Sequence, residues 1–126
     1  MSVRVAVDRQ KKLVVTSFYG VVTDEDARRQ LELLRAEGPF DKGYSAITDY
    51  TGAQQFDISS EIFREIAGME SPLTSGARRV VVAPSDVIYG TTRMFQSLAT
   101  ETRPNLTIVR TLREAYEHLG IESMSD

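Results

Sequence analysis

The stretch Arg78-Arg79-Val80-Val81-Val82-Ala83 constrains the fold more than any other part of the chain. Its apolar residues run on without the alternation of a strand that has one wet face. Such a run reads as a strand covered on both sides, as in a parallel sheet flanked by helices. Parallel neighbours cannot be joined by a tight turn; each crossover takes a dozen or more residues, usually a helix. The rest of the chain should therefore alternate strands with helical segments, and it does.

Val3, Val5 and Val7 alternate with polar residues, as in a half-buried strand. Asp8-Arg9-Gln10-Lys11 is a polar turn, and 13–22 is a second strand rich in Val, Phe, Tyr and Thr. So short a connection makes the pair antiparallel. Gly20 marks a bulge or a close approach. Thr23-Asp24-Glu25-Asp26 starts a helix, because threonine can cap it and three acids face its positive end. Ala27, Leu31 and Leu34 share a face, and Gly38-Pro39 stops the helix.

A third strand is expected at 45–50, with Thr51-Gly52-Ala53-Gln54-Gln55 breaking it. The helix after Ser59-Ser60 buries Ile62, Phe63, Ile66 and Ala67. Pro84-Ser85-Asp86 opens a long helix, where Val87, Ile88, Met94, Phe95, Leu98 and Ala99 are expected to share a face. Arg103-Pro104-Asn105 turns the chain into a last strand at 106–110. Thr111-Leu112-Arg113-Glu114 matches a capping box, and Gly120 ends the helix that buries Leu112, Ala115, Tyr116 and Leu119. The predicted order is ββαβαβαβα. That is an α/β fold: a small, mostly parallel sheet with an N-terminal antiparallel hairpin and four helices. Residues 1–122 read as one domain and 123–126 as a frayed tail.

Composition narrows the function. A chain of 126 residues can bury a real core, and 41% hydrophobic with 26% charged residues is ordinary for a soluble protein. The net charge is -3 and basic residues cluster only in pairs, so no nucleic-acid partner is expected. The chain has no cysteine, which excludes disulfides, thiol catalysis and Cys-ligated metals. No apolar run approaches the roughly 20 residues that span a bilayer, so no membrane span and a cytoplasmic location are expected. His118, the one histidine, lies near the end of the last helix, where it complements the dipole and suits no Ser-His-Asp arrangement. No cluster has metal-ligand spacing, and GxGxxG and GxxxxGK[ST] are absent. No catalytic residue, metal or cofactor is expected.

Open parallel sheets bind ligands beyond the C-terminal ends of their strands. That edge should hold Asp49-Tyr50-Thr51-Gly52, Ala83-Pro84-Ser85-Asp86 and Arg110-Thr111. The helix starts at Ser59 and Ser85 would point the same way and together form a small anion site. Each candidate also has a plainer reading. Ser59 or Ser60 is a helix cap or a phosphate acceptor. Ser85-Asp86 is a cap, and Asp49 a bonding partner of loop backbone. Asp57 caps, or helps bind a metal with a phosphate or a kinase. Tyr89 and Arg93, one turn apart, stack or are solvated neighbours. Met94, Phe95 and Leu98 are core, or line an apolar pocket. Hydrolysis by Ser85, Asp86, Tyr89 and Arg93 lacks an evident base.

Asp49-Tyr50-Thr51-Gly52 followed by Asp57-Ile58-Ser59-Ser60 resembles the signature of STAS domains, the anti-sigma factor antagonists and sulfate-transporter tails. Their pattern is roughly D-L-S-G-x-x-x-x-D-S-S-G-L. Asp49, Thr51, Gly52, Asp57 and Ser59 align to it without a gap. Around Ala83-Pro84-Ser85-Asp86, Tyr89-Gly90 and Arg93-Met94 the chain is more similar to divergent bacterial STAS-like proteins. That group looks like the stage II sporulation protein AA fold and the lipid-binding CRAL-TRIO fold.

The resemblance implies a non-catalytic regulatory module. It would bind a protein partner, a kinase or an anti-sigma-like regulator, through residues 57–64 and be switched by phosphate on Ser59. Ile58, Ser60 and Glu61 stand where the antagonists have serine, glycine and leucine. The CRAL-TRIO likeness implies an alternative, a binder of a small apolar or lipid-like ligand. That alternative needs an enclosed apolar cavity on the order of a few hundred Å³. A partner-binding module needs a solid interior and an apolar patch on the Ser59 helix. A homodimer through the exposed edge of the first hairpin is a further expectation.

Overall fold

The elements alternate as the sequence predicts: β1 Val3–Asp8, β2 Leu13–Thr23, α1 Asp24–Glu37, β3 Ser45–Asp57, α2 Ser60–Ala67, β4 Arg78–Val82, α3 Asp86–Leu98, β5 Leu106–Val109 and α4 Leu112–Leu119. The computed structural model describes residues 2–122, and the tail expected at 123–126 lies outside the described residues. The strands form one sheet in the order β1-β2-β3-β4-β5. β1 is antiparallel to β2, and every later pair is parallel.

Each parallel crossover steps one strand further in the same direction. Crossovers of one hand then put their helices on one face. The packing follows this rule. Phe18, Tyr50 and Val81 face residues of α1, α2 and α3, including Leu31, Phe63, Ile66 and Ile88. Leu13, Ile47, Val80 and Val82 face the other way, onto Ala115, Tyr116 and Leu119 of α4. Three helices thus crowd one face of the sheet while α4 alone covers the other. β1 and β5 are left as the edges. No helix among the described residues is long and apolar enough to cross a membrane.

The local signals act where they stand. Asp26 accepts from the Thr23 amide at 2.9 Å, and Thr111 exchanges bonds with Glu114 in a capping box. Gly120 ends α4 at φ +67°, a left-handed turn that glycine adopts without a Cβ penalty. His118 is exposed in the last turn of α4.

Two expectations fail, each for a tertiary reason. The third strand does not break at Thr51; it runs on to Asp57. The second half of β2 pairs with it, Tyr19 with Gly52 through Thr23 with Asp57, and register shifts at Ser17/Tyr19 and Gly20/Val21 absorb the irregularities. Polar, β-poor residues are held extended by this partner strand rather than by propensity. The stripe expected on α3 is also different. Val87 is 70% exposed and Leu98 45%, while Ile88, Thr92 and Ala99 are buried. At 3.6 residues per turn Val87 and Leu98 sit roughly 100–120° round the helix from the Ile88–Thr92–Ala99 line.

Gly52 of β3 packs tightly against Phe18 and Tyr19 of β2. A Cβ there would stand 3.0 Å from the Phe18 carbonyl oxygen and 3.2 Å from Tyr19 Cβ. Gly52→Ala should therefore destabilise the fold by about 1–3 kcal/mol, read as a lower urea midpoint. An unchanged midpoint would show that the two strands can separate without loss.

Candidate functional site

The C-terminal edge of the sheet separates into two clusters. The first joins α1 to α2. Ser59 caps α2, its Oγ accepting from the Ile62 amide at 3.2 Å. The same hydroxyl donates to Asp24 Oδ2 at 2.7 Å, and the Ser59 amide donates to Asp24 Oδ1 at 2.6 Å. The carboxylate thus grips Ser59 with both oxygens. The backbone bond from Ser59, then its side-chain bond, holds the Asp24 carboxyl below the ordinary carboxylate range. The dipole end that was expected to receive an external anion already meets one of the protein's own carboxylates.

The neighbours of Ser59 are placed more simply. Asp49 is buried, and its Oδ1 accepts from the Thr51 amide at 2.9 Å, the bond to local backbone that the sequence allows. Thr51 is exposed. Asp57, also exposed, accepts from Gln55 Nε2 at 2.7 Å and does not cap α2. Ser60 is the exposed first residue of α2.

The second cluster surrounds the start of α3. Ser85 caps the helix, accepting from the Ile88 amide at 3.2 Å. Asp86 pairs with Arg110 at 2.9 Å, and the Arg110 guanidinium lies 4.3 Å from the Tyr89 ring centroid. Arg110 therefore takes the place beside Tyr89 that the sequence offered to Arg93, which stands exposed. Arg110 was visible as the residue closing the last strand at the ligand-binding edge. The ion pair is open to solvent, so its contribution stays below about 1 kcal/mol. Among the described residues no cluster of His, Asp and Glu is disposed to hold a metal.

The apolar pocket that the sequence allowed beside Phe95 lies inside the three-helix face, without Met94 or Leu98 among its lining residues. A cavity of about 100 Å³ separates the sheet from α1, α2 and α3. Leu31, Phe63, Ile66 and Phe95 give it apolar walls. Gln30 reaches in from α1 and donates to Thr16 Oγ1 at 3.1 Å. Tyr50 lines the cavity at 4% exposure, stacked on Phe18 at 4.8 Å and edge-on to Phe56 at 5.3 Å. Burial pushes its phenol well above the usual tyrosine range. No protein group hydrogen-bonds that hydroxyl among the described residues.

Two buried arginines close one end. Arg79 donates to Ala77 O, Pro104 O and Thr74 O at 3.0 Å each and to Ser71 Oγ at 3.3 Å. Arg103 donates through Nη1 to Ile66 O at 3.0 Å and Met69 O at 2.9 Å, at the carboxyl end of α2. Thr102 adds a bond to Ala67 O at 2.6 Å. No ion pair among the described residues includes Arg79 or Arg103. Burial first, and then the charges of Arg79 and Arg35, pulls the Arg103 guanidinium down to about 10, so it remains a cation at neutral pH. Strand alternation could have found Arg79, since Arg79 and Val81 share a face of β4. For Arg103, in a turn beside Pro104, the sequence carries no burial signal.

A second depression, about 530 Å³, is lined by Leu112, Arg113, Tyr116, Glu117 and residues 120–122. All belong to α4 and its exit, so it is a surface furrow rather than a chamber.

The Asp24 clamp has a pH signature. Because its folded pKa is depressed, its contribution is present above the unfolded carboxylate pKa and is lost as pH falls through the folded value. Asp24→Asn should cost about 1–3 kcal/mol near pH 6, and the difference from wild type should shrink steadily below roughly pH 4. Urea midpoints at several pH values check this, and a pH-independent difference contradicts it.

No family model matches the chain, and a search of curated proteins finds no significant match.

Proposed function

We propose that the chain is a STAS-like, non-catalytic cytoplasmic binding module whose ligand is a small, largely apolar molecule held in the cavity beneath α2. The observation that carries this reading is the cavity itself, apolar on most of its wall and lined also by Tyr50 and Arg103. Size restricts the ligand. At about 100 Å³ the cavity falls below the few hundred Å³ that a lipid-like ligand needs; an apolar cavity of about 150 Å³ holds benzene, so this one takes something slightly smaller.

The competing reading, a protein partner docked on residues 57–64 and switched at Ser59, has less support. Every large apolar side chain of α2 is buried. Its exposed residues are Ser60, Glu61, Arg64 and Glu65, so a partner there would read charge and not an apolar patch. The exposed large apolar residues are Tyr19, Val21, Val87 and Leu98, on other elements. Phosphate on Ser59 would displace the Ile62 cap bond and face the Asp24 carboxylate.

Titration of ¹⁵N-labelled protein with n-butanol tests the cavity reading. The expected result is saturable shifts at the Leu31, Tyr50, Phe63 and Ile66 amides. Shifts confined to the surface near Val87 and Leu98, or none, would contradict it.

A further inference from the structure

The ligand's polar end can be assigned as well, an inference that rests on the cavity reading above. We propose that the cavity takes a small aliphatic carboxylic acid, roughly three to four carbons long, whose carboxylate is received by the Nε–Nη2 edge of Arg103.

The guanidinium presents this edge because its other side is in use. Nη1 alone serves the α2 carbonyls and Thr102 Oγ1, at 2.9 to 3.1 Å. Nε and Nη2 meet no acceptor in the protein among the described residues. Their N–H bonds lie parallel in one plane, at the spacing of the two oxygens of a carboxylate. The plane is held by the ring of Phe95, 5.8 Å from the guanidinium carbon.

Charge favours the same occupant. Arg103 is 8% exposed and Arg79 6%, and neither has an acidic partner. Arg79 is already engaged with three carbonyls and Ser71, so it supplies field rather than a second fork. Two buried cations without a counter-charge leave a site where an anion offsets an existing penalty. Around that charge the walls are apolar, with Leu31, Phe63 and Ile66 suited to a short alkyl chain. Inorganic phosphate brings more charge and needs more donors than this one fork, and has no use for such walls. Tyr50 also lines the cavity.

The test compares butyrate with butyramide, its neutral analogue of equal size, at fixed ionic strength. ¹⁵N spectra would follow the cavity amides and the Arg103 Nε–H resonance. Butyrate should bind at least about tenfold more tightly than butyramide and move the Nε–H signal. Arg103→Lys keeps the charge but loses the fork, and should reduce that preference below about threefold. Because Arg103 also caps α2, the Nε–H shift in the wild type serves as the readout that needs no variant. Equal affinity for the two compounds, with cavity amides moving, overturns the carboxylate assignment and leaves the cavity reading intact. No movement of cavity amides with either compound overturns both. A still Nε–H signal under saturating butyrate, an unchanged preference in folded Arg103→Lys, or equal binding of inorganic phosphate also overturns the assignment.

Discussion

A buried arginine fixes the position of α2, a helix of only eight residues. Arg103 and Thr102, from the connection between α3 and β5, reach back to the carbonyls of Ile66, Ala67 and Met69 at the end of α2. A helix of eight residues does not persist alone in water. Here a cation meets its negative end, and at its positive end Ser59 is held by the Asp24 carboxylate. Both fastenings come from neighbouring elements, so α2 is placed by its surroundings rather than by its own propensity. It carries Phe63 and Ile66 as part of the cavity wall.

The sheet topology decides where that wall stands. Stepwise parallel crossovers put α1, α2 and α3 on one face, where helices of unequal length must fit side by side. A close-packed interior leaves few voids larger than a water molecule. The space that remains here is bounded by aromatic rings, by Gln30 and Thr16, and by two guanidinium groups. The same layout explains why the outer edge of the sheet offers little. Its helix N-termini are served by the protein's own side chains: Ser59 with Asp24, and Ser85 with the adjacent Asp86–Arg110 pair.

Much of the fold could be read locally. Caps at Thr23, Ser59, Ser85 and Thr111, the left-handed Gly120 and the unbroken apolar run of β4 each act within a few residues of where they stand. What could not be read depends on partners distant in sequence. Residues 51–57 look like a loop until β2 pairs with them, and Val87 and Leu98 look like core until α3 turns them outward. The polar part of the cavity wall escaped for a related reason. Arginine is almost never fully buried without a partner, so Arg79 and Arg103 read as surface residues from sequence. Their partners are backbone carbonyls, which no side-chain pattern announces. The candidates that were legible, from Asp49 to Arg93, take part in caps, a turn bond and the Asp86–Arg110–Tyr89 cluster, or stand exposed.

The central claim is that the open edge of Arg103 is a receptor for a carboxylate. Crystals soaked in 3-bromopropionate would test it most directly, because bromine reports its own position by anomalous scattering. The predicted result is a bromine peak among Leu31, Phe63 and Ile66, with the carboxylate oxygens within about 3 Å of Nε and Nη2 of Arg103. Bromine found only on the outer surface, or inside the cavity with its carboxylate turned away from Arg103, would contradict it.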